Sequence, residues 1–187
     1  MNAAVFLDRD GTINIEESYL SDPNKLRLID GTLESLKQLQ DQGFLLFIVT
    51  NQSGIGRGYY SEADMHAVND KLVRIAADAG IQFAKIYFAP EAPEAPSYGR
   101  KPSPQFLLDA SRDFQVDLAT AFMIGDKLSD LQCGWNAGIG KSILVKTGCG
   151  QALARRPDID LSQTVIVEDL REATEYILKA ERMRLKA

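Results

Sequence analysis

Short apolar runs alternate with longer segments of helical periodicity along this chain. In the longest segment, apolar residues recur every three or four positions, as on one face of an amphipathic helix: Met65, Val68, Leu72, Ile75, Ala76 and Ala79. Spacing of this kind predicts five helices: Thr32–Gln42, Ser61–Ala79, Gln105–Phe114, Leu128–Ala137 and Leu170–Lys179. The β-rich apolar runs predict six strands: Val5–Leu7, Leu45–Val49, Lys85–Phe88, Ala121–Ile124, Ser142–Val145 and Val165–Val167.

Strands that alternate with helices are typical of right-handed βαβ units. We therefore predict an α/β fold with a doubly wound, mainly parallel sheet that helices cover on both faces. Ligands of such sheets bind beyond the carboxyl ends of the strands. Polar residues follow the first, second and fourth predicted strands at that edge: Asp8, Thr50 with Asn51, and Asp126.

The length of 187 residues is typical of one domain, which we assign to 1–187 with a catalytic core of about 3–178. A net charge of −5 argues against binding to nucleic acid or an anionic membrane, because both need a basic surface. No signal peptide or membrane span is visible, and Cys133 and Cys149 form no zinc-type cluster. We therefore expect a cytoplasmic monomer whose partner is a small molecule, not nucleic acid or a membrane.

The first polar cluster is Asp8-Arg9-Asp10-Gly11-Thr12, directly after an apolar strand. Side chains two residues apart share one face of a strand, so both carboxylates point the same way. Their repulsion favours binding of a hard divalent cation. One acid can then serve as a nucleophile and the other as a proton carrier, which is the composition of a phosphoryl-transfer centre.

Further clusters follow other strands. The Thr50 hydroxyl and the backbone N–H groups after it can hold phosphoryl oxygens. Arg100 and Lys101 offer two cations just before a helix. Taken alone, each cluster is also compatible with an ordinary solvated turn or surface charge.

In combination, four segments resemble the haloacid-dehalogenase-like superfamily of phosphohydrolases: Phe6–Asn14, Thr50–Ile55, Arg100–Pro102 and Gly125–Lys127. Within it they are similar to the D-glycero-D-manno-heptose 1,7-bisphosphate 7-phosphatases, with the histidinol-phosphate phosphatases as close relatives. The similarity runs in order from about Val5 to Gly148. It implies a magnesium-dependent phosphatase that removes the 7-phosphate of the heptose bisphosphate, or another small sugar phosphate, through an aspartyl-phosphate intermediate.

The resemblance also implies a role for each matched residue. Asp8 would be the nucleophile and Asp10 the general acid and base. Magnesium would be held by Asp8, the backbone carbonyl of Asp10, and Asp126, with Asp130 nearby. Thr50 and Lys101 would be catalytic contacts of the phosphoryl group. Substrate contacts are implied for Glu16, Glu17, Ser18, Tyr19, Thr50, Asn51, Gln52, Ser53, Arg100, Lys101 and Lys127.

The chain departs from the heptose phosphatase pattern in one segment. Those enzymes commonly carry a Cys/His zinc site just before the Arg-Lys-Pro motif, whereas residues 89–99 contain three prolines and no Cys or His. We therefore expect no zinc, and the sugar and its anomer stay open. The spacers between the motifs leave no room for a large cap domain, so we expect an open site with short rim segments, 15–25 and 89–99.

Three alternatives remain from the sequence. A histidinol-phosphate phosphatase would use the same catalytic residues. A receiver-type signalling domain also combines an Asp, Mg²⁺, a Thr and a Lys on a doubly wound sheet, but its phosphorylated Asp ends a later strand. A non-catalytic phosphate binder ranks last, because every expected catalytic position is filled.

Overall fold

A computed structural model of the chain describes residues 1–184 and 186. Its six strands are β1 (Ala4–Leu7), β2 (Leu45–Asn51), β3 (Phe83–Ala89), β4 (Phe122–Gly125), β5 (Lys141–Val145) and β6 (Thr164–Val167). They form one sheet in the order β3-β2-β1-β4-β5-β6, and every neighbouring pair is parallel. The predicted doubly wound parallel sheet is confirmed. Residues 185 and 187, which the single-domain prediction includes, lie outside the described residues.

The described residues contain seven α-helices, of which the first six lie between strands and the last follows β6: α1 (Thr32–Asp41), α2 (Ser53–Gly56), α3 (Glu62–Asp78), α4 (Gln105–Phe114), α5 (Leu128–Ala137), α6 (Gly150–Ala154) and α7 (Leu170–Arg184). Ser61 caps α3, because its hydroxyl accepts from the Asp64 N–H at 3.2 Å while Asp64 Oδ2 accepts from the Ser61 N–H at 2.8 Å. Single-turn 3₁₀ helices lie at Pro23–Lys25 and Leu118–Thr120. The connections between strands hold only these elements and short loops, so residues 1–184 contain no cap domain.

The central strand β1 contributes to a hydrophobic core on each face of the sheet. Val5 and Leu7 pack with side chains from α1, α3 and α7, whereas Ala4 and Phe6 pack with side chains from α4 and α5. Burial of each large apolar side chain contributes roughly 1.5–3 kcal/mol. All four residues of β1 are buried. The position of Asp8, which directly follows this strand, is therefore firmly fixed.

Among the described residues, no helix is both long enough and apolar enough to cross a membrane.

Candidate active site

A cleft of about 360 Å³ lies at the carboxyl ends of the central strands. Asp8 directly follows β1, Thr50 and Asn51 end β2, and Asp126 directly follows β4. Asp126 is fully buried beneath the cleft, and Glu17 does not line it. The other predicted site residues all line the cleft: Asp8, Asp10, Glu16, Ser18, Tyr19, Thr50, Asn51, Gln52, Ser53, Arg100, Lys101 and Lys127.

The ammonium of Lys101 joins two carboxylates at the floor of this cleft. Its Nζ lies 2.7 Å from Asp8 Oδ1 and 2.6 Å from Asp130 Oδ1, and it donates to the Val49 carbonyl at 2.6 Å. The side chain of Lys101 is only 2 % exposed. Burial alone would lower the pKa of Lys101, yet the charges of Asp130 and Asp8 raise it above its ordinary value. A permanent positive charge therefore lies beside Asp8.

Asp8 is buried but ionised. Burial opposes its charge, but the ammonium groups of Lys101 and Lys127 lower its pKa below the ordinary value. An ionised carboxylate is the form that can attack phosphorus.

Asn51 fixes the backbone that carries Lys101. Its Oδ1 accepts from the Lys101 N–H at 2.9 Å, and its Nδ2 donates to the Lys101 carbonyl at 3.1 Å. Although Asn51 was predicted as a substrate contact, both polar atoms of its amide are occupied within the protein. Its structural task is to tie the end of β2 to the Arg-Lys segment.

Three carboxylates form a group suited to a divalent cation. One oxygen from each of Asp8, Asp126 and Asp130 lies within 4.8 Å of the others. Asp126 Oδ2 accepts from the Cys149 N–H at 2.7 Å, while its buried Oδ1 has no hydrogen-bond partner. Burial and the charge of Asp8 raise the pKa of Asp126 to about 7. Lys127 Nζ lies 3.6 Å from this Oδ1. A buried carboxylate oxygen that accepts no hydrogen bond and lies beside further acids fits a hard cation with oxygen ligands, such as Mg²⁺.

Glycines allow the chain to close over Asp126. A Cβ on Gly11 would lie 2.3 Å from Asp126 Oδ2, and one on Gly148 would lie 2.2 Å from the same atom. Both residues also have positive φ, which glycine adopts without strain. The close approach of the backbone to Asp126 therefore requires glycine at positions 11 and 148.

The Asp10 carboxylate contacts hydrogen-bond donors on several sides. Arg9 Nη2 lies 2.9 Å from its Oδ2, Gln52 Nε2 lies 3.0 Å from the same oxygen, and Asn14 Nδ2 lies 3.0 Å from its Oδ1. The side chain is 15 % exposed and faces the cleft. These donors fix the direction of the carboxylate at the edge of the cleft.

Two residues near Asp10 were missed in the sequence. Arg9 is fully buried, and its Nη1 donates to Asn69 Oδ1 of α3 at 2.8 Å. Tyr60 lines the cleft and donates to Gln52 Oε1 at 2.7 Å. An Arg between two acids was a possible signal for the first, because a guanidinium in such a turn can pair with a carboxylate. Tyr60 lies outside every motif and gave no signal.

The rim segments are held by polar contacts. Across the cleft, Lys127 Nζ lies 2.7 Å from Glu16 Oε2. Within segment 89–99, Ser97 Oγ donates to Glu91 Oε2 at 2.7 Å and accepts from the Arg100 N–H at 3.1 Å. Hydrogen bonds thus close this segment and fix the backbone of Arg100 at the cleft.

Comparison with known proteins identifies phosphatase relatives of this chain. The HAD-hydrolase-like family profile matches residues 98–173. The D-glycero-beta-D-manno-heptose-1,7-bisphosphate 7-phosphatase of Pasteurella multocida is 42 % identical over 154 residues, 79 % of this chain and 84 % of the relative. The D-glycero-alpha-D-manno-heptose-1,7-bisphosphate 7-phosphatase of Burkholderia mallei is 40 % identical over 151 residues, 77 % of this chain and 80 % of the relative.

A solved structure extends the match to nearly the whole chain. The D,D-heptose 1,7-bisphosphate phosphatase of B. bronchiseptica, crystallised with magnesium and phosphate, superposes with a TM-score of 0.87 at 32 % identity. The match covers 95 % of this chain and 99 % of that one. The fold and the phosphohydrolase resemblance are confirmed, and the chain is a phosphoric monoester hydrolase. It belongs to the haloacid-dehalogenase-like phosphatase family that includes the heptose 1,7-bisphosphate 7-phosphatases.

Proposed function

We propose that this chain is a magnesium-dependent phosphatase that removes the 7-phosphate from D-glycero-D-manno-heptose 1,7-bisphosphate. Relatives with 42 % and 40 % identity carry that activity in their names, and the structural neighbour was crystallised with magnesium and phosphate. One observation carries the proposal: the 2.7 Å contact of the Lys101 ammonium with the ionised Asp8, on the floor of a cation-lined cleft.

In the proposed reaction, Asp8 attacks phosphorus in line with the sugar oxygen, and the bond from phosphorus to that oxygen breaks. Asp10 gives its proton to the departing oxygen, so the sugar leaves as an alcohol. Lys101 and the hydroxyl of Thr50 hold the phosphoryl oxygens. Asp10 then takes a proton from a water molecule that attacks the aspartyl phosphate, which regenerates Asp8 and releases inorganic phosphate.

Asp8, the backbone carbonyl of Asp10, and Asp126 would hold the magnesium ion, and the Oδ1 of Asp126, which accepts no hydrogen bond, supports this assignment. When bound, the ion offsets negative charge on the phosphate and on the nucleophile. Asp130 accepts from the Lys127 N–H at 2.9 Å and pairs with Lys101. It therefore supports both cations beside Asp8.

The rim cations Arg100 and Lys127 would bind the rest of the doubly phosphorylated substrate. Lys127 is paired with Glu16, so a second phosphate would have to take the place of that carboxylate. A cleft of about 360 Å³ is within the range of small-ligand sites. We also propose that the chain works as a monomer in the cytoplasm.

The test is a comparison of substrates with Mg²⁺ present: both anomers of the heptose bisphosphate, and histidinol phosphate. We expect the highest kcat/KM with one heptose anomer, and no turnover by Asp8→Asn, which removes the nucleophilic charge at nearly constant shape. Both anomers are needed because relatives named for each are almost equally similar. Equal or higher kcat/KM with histidinol phosphate would defeat the heptose assignment, and an active Asp8→Asn would remove Asp8 from its role.

A further inference from the structure

The amide of Gln52 connects three polar groups of the cleft. Its Oε1 accepts from the Tyr60 hydroxyl at 2.7 Å. Its Nε2 donates to Thr50 Oγ1 at 2.8 Å and to Asp10 Oδ2 at 3.0 Å. One side chain therefore links Thr50, the proposed contact of the phosphoryl group, to Asp10, the proposed acid and base.

Electrostatics selects this orientation of the amide. If the Gln52 amide were turned over, its oxygen would face a carboxylate oxygen of Asp10, which is repulsive, and its NH₂ group would face Tyr60. A protonated Tyr60 hydroxyl favours the observed orientation from the other end, because it donates to an oxygen. Burial raises the pKa of Tyr60 to about 12, so the hydroxyl keeps its proton at any working pH.

Packing holds the ring of Tyr60 in place. A Cβ on Gly54 in α2 would lie 2.2 Å from Tyr60 Cε1 and 2.7 Å from Tyr19 Cδ1. The rings therefore rest directly on the α2 backbone, in space that only glycine leaves open. Gln52 itself is 3 % exposed, so water cannot readily replace Tyr60 as the partner of its oxygen.

The opposite side of Asp10 is held independently. Arg9 binds both Asp10 oxygens and is itself held by Asn69 of α3. Those contacts reach Asp10 but not Thr50. The contact from Tyr60 through Gln52 is the one that reaches both groups.

We propose that Tyr60 is a positioning residue that acts through Gln52 to hold the Asp10 carboxylate and the Thr50 hydroxyl in a fixed relation. Protonation of the departing sugar oxygen then occurs while the phosphoryl group is bound. This inference rests on the proposed function, because it assumes that Asp10 protonates a leaving group. Without the Tyr60 hydroxyl, the Gln52 amide can turn and Asp10 loses one of its fixed donors.

The test uses the magnesium-loaded enzyme and two variants that each remove one tyrosine hydroxyl. Tyr60→Phe removes the hydroxyl bound to Gln52. Tyr87→Phe is the matched control, because the Tyr87 hydroxyl is buried in the core and has no hydrogen-bond partner. Each variant is assayed with the best sugar phosphate of the panel and with p-nitrophenyl phosphate, whose aryl leaving group departs as an anion without a proton.

For Tyr60→Phe, we expect kcat/KM to fall roughly tenfold with the sugar phosphate, the size of one lost hydrogen bond, and less than twofold with the aryl phosphate. The selective loss is expected because kcat/KM reports the steps up to departure of the leaving group. Tyr87→Phe should leave both values unchanged. A double variant with Gln52→Met should lose no more than Gln52→Met alone, since both act on one chain of contacts.

Equal losses with the two substrates, or no loss with either, would overturn the Tyr60 role and leave the proposed function intact. Additive losses in the double variant would overturn it as well. A wild-type chain that hydrolyses neither substrate would instead overturn the proposed function, and the role of Tyr60 with it.

Discussion

Replacement of Lys101 by Met tests the charge balance of the cleft most severely. The Lys101 ammonium is the partner of two buried acids, Asp8 and Asp130, at 2.7 Å and 2.6 Å. Met has a similar length and no charge, so Lys101→Met keeps most of the packing and leaves both carboxylates without their shared cation. Removal of one partner from a buried ion pair typically costs about 3–5 kcal/mol.

For a chain of this length, that cost corresponds to a fall in Tm of roughly 6–20 °C. The control is Lys127→Met, because Lys127 is 39 % exposed and its pair with Glu16 is partly screened by solvent. We expect the control to lose less stability than Lys101→Met, because the pair of Lys127 with Glu16 is partly exposed to solvent. Urea unfolding at pH 7 measures the loss of unfolding free energy in both variants.

The pH dependence of the unfolding free energy distinguishes the effect of the lost charge from the effect of lost packing. In the wild type, the lowered pKa of Asp8 means that its contribution to stability disappears only as pH falls through that low value. In Lys101→Met, burial without the ammonium raises the pKa of Asp8, so the folded state takes up protons near neutral pH. The deficit relative to wild type should therefore shrink between pH 7 and pH 5. A deficit below 1 kcal/mol at pH 7, or one that does not change with pH, would refute this reasoning.

Two further predictions concern the metal site. Gly148→Ala should weaken Mg²⁺ binding at least about tenfold, because its Cβ would lie 2.2 Å from Asp126 Oδ2, whereas Gly138→Ala shares the positive φ but meets no atom within 4 Å. Titration calorimetry checks this, and equal effects of the two variants would contradict it. Because the pKa of Asp126 is raised to about 7, Mg²⁺ affinity should fall by up to about tenfold per pH unit below 7, as a protonated carboxyl must lose its proton to bind. Equal Mg²⁺ affinity at pH 6 and pH 8 would contradict the assignment of Asp126 as a ligand of the ion.

The strand and helix pattern was predictable because burial dictates it. All six predicted strands and all five predicted helices are present. The rule that ligands bind at strand ends predicted that Asp8, Thr50 and Asp126 lie at one edge of the sheet, as they do. Some boundaries differ because hydrogen bonds continue beyond the apolar run. β2 extends to Asn51, for example, because Thr50 and Asn51 still pair with Phe88 and Ala89 of β3.

Helices α2 and α6 could not be predicted from periodicity. They have four and five residues, which is too short for a helical repeat of apolar positions to appear. α2 is also rich in glycine, which disfavours helix in isolation. Its position against the rings of Tyr19 and Tyr60 depends on tertiary packing.

The polar contacts of the site depend on partners far apart in the sequence. Asn51 and Lys101 are 50 residues apart, and Arg9 and Asn69 are 60 apart. Nothing local to Asn51 distinguishes a backbone clamp from a substrate contact, and nothing local to Arg9 reveals full burial. The acids that we propose to be catalytic could be located in the sequence because their motif is local, while the residues that orient them could not.

The most direct test of the account is to locate the phosphoryl group during turnover. Asp10→Asn, which retains Asp8 but cannot activate the hydrolytic water, is mixed with Mg²⁺ and p-nitrophenyl phosphate, whose leaving group needs no proton from Asp10, then quenched in acid and digested for mass spectrometry. The account predicts a phosphoryl adduct on Asp8, absent when Asp8 is also changed to Asn. An adduct on another residue, or phosphate release that continues in Asp8→Asn, would contradict it.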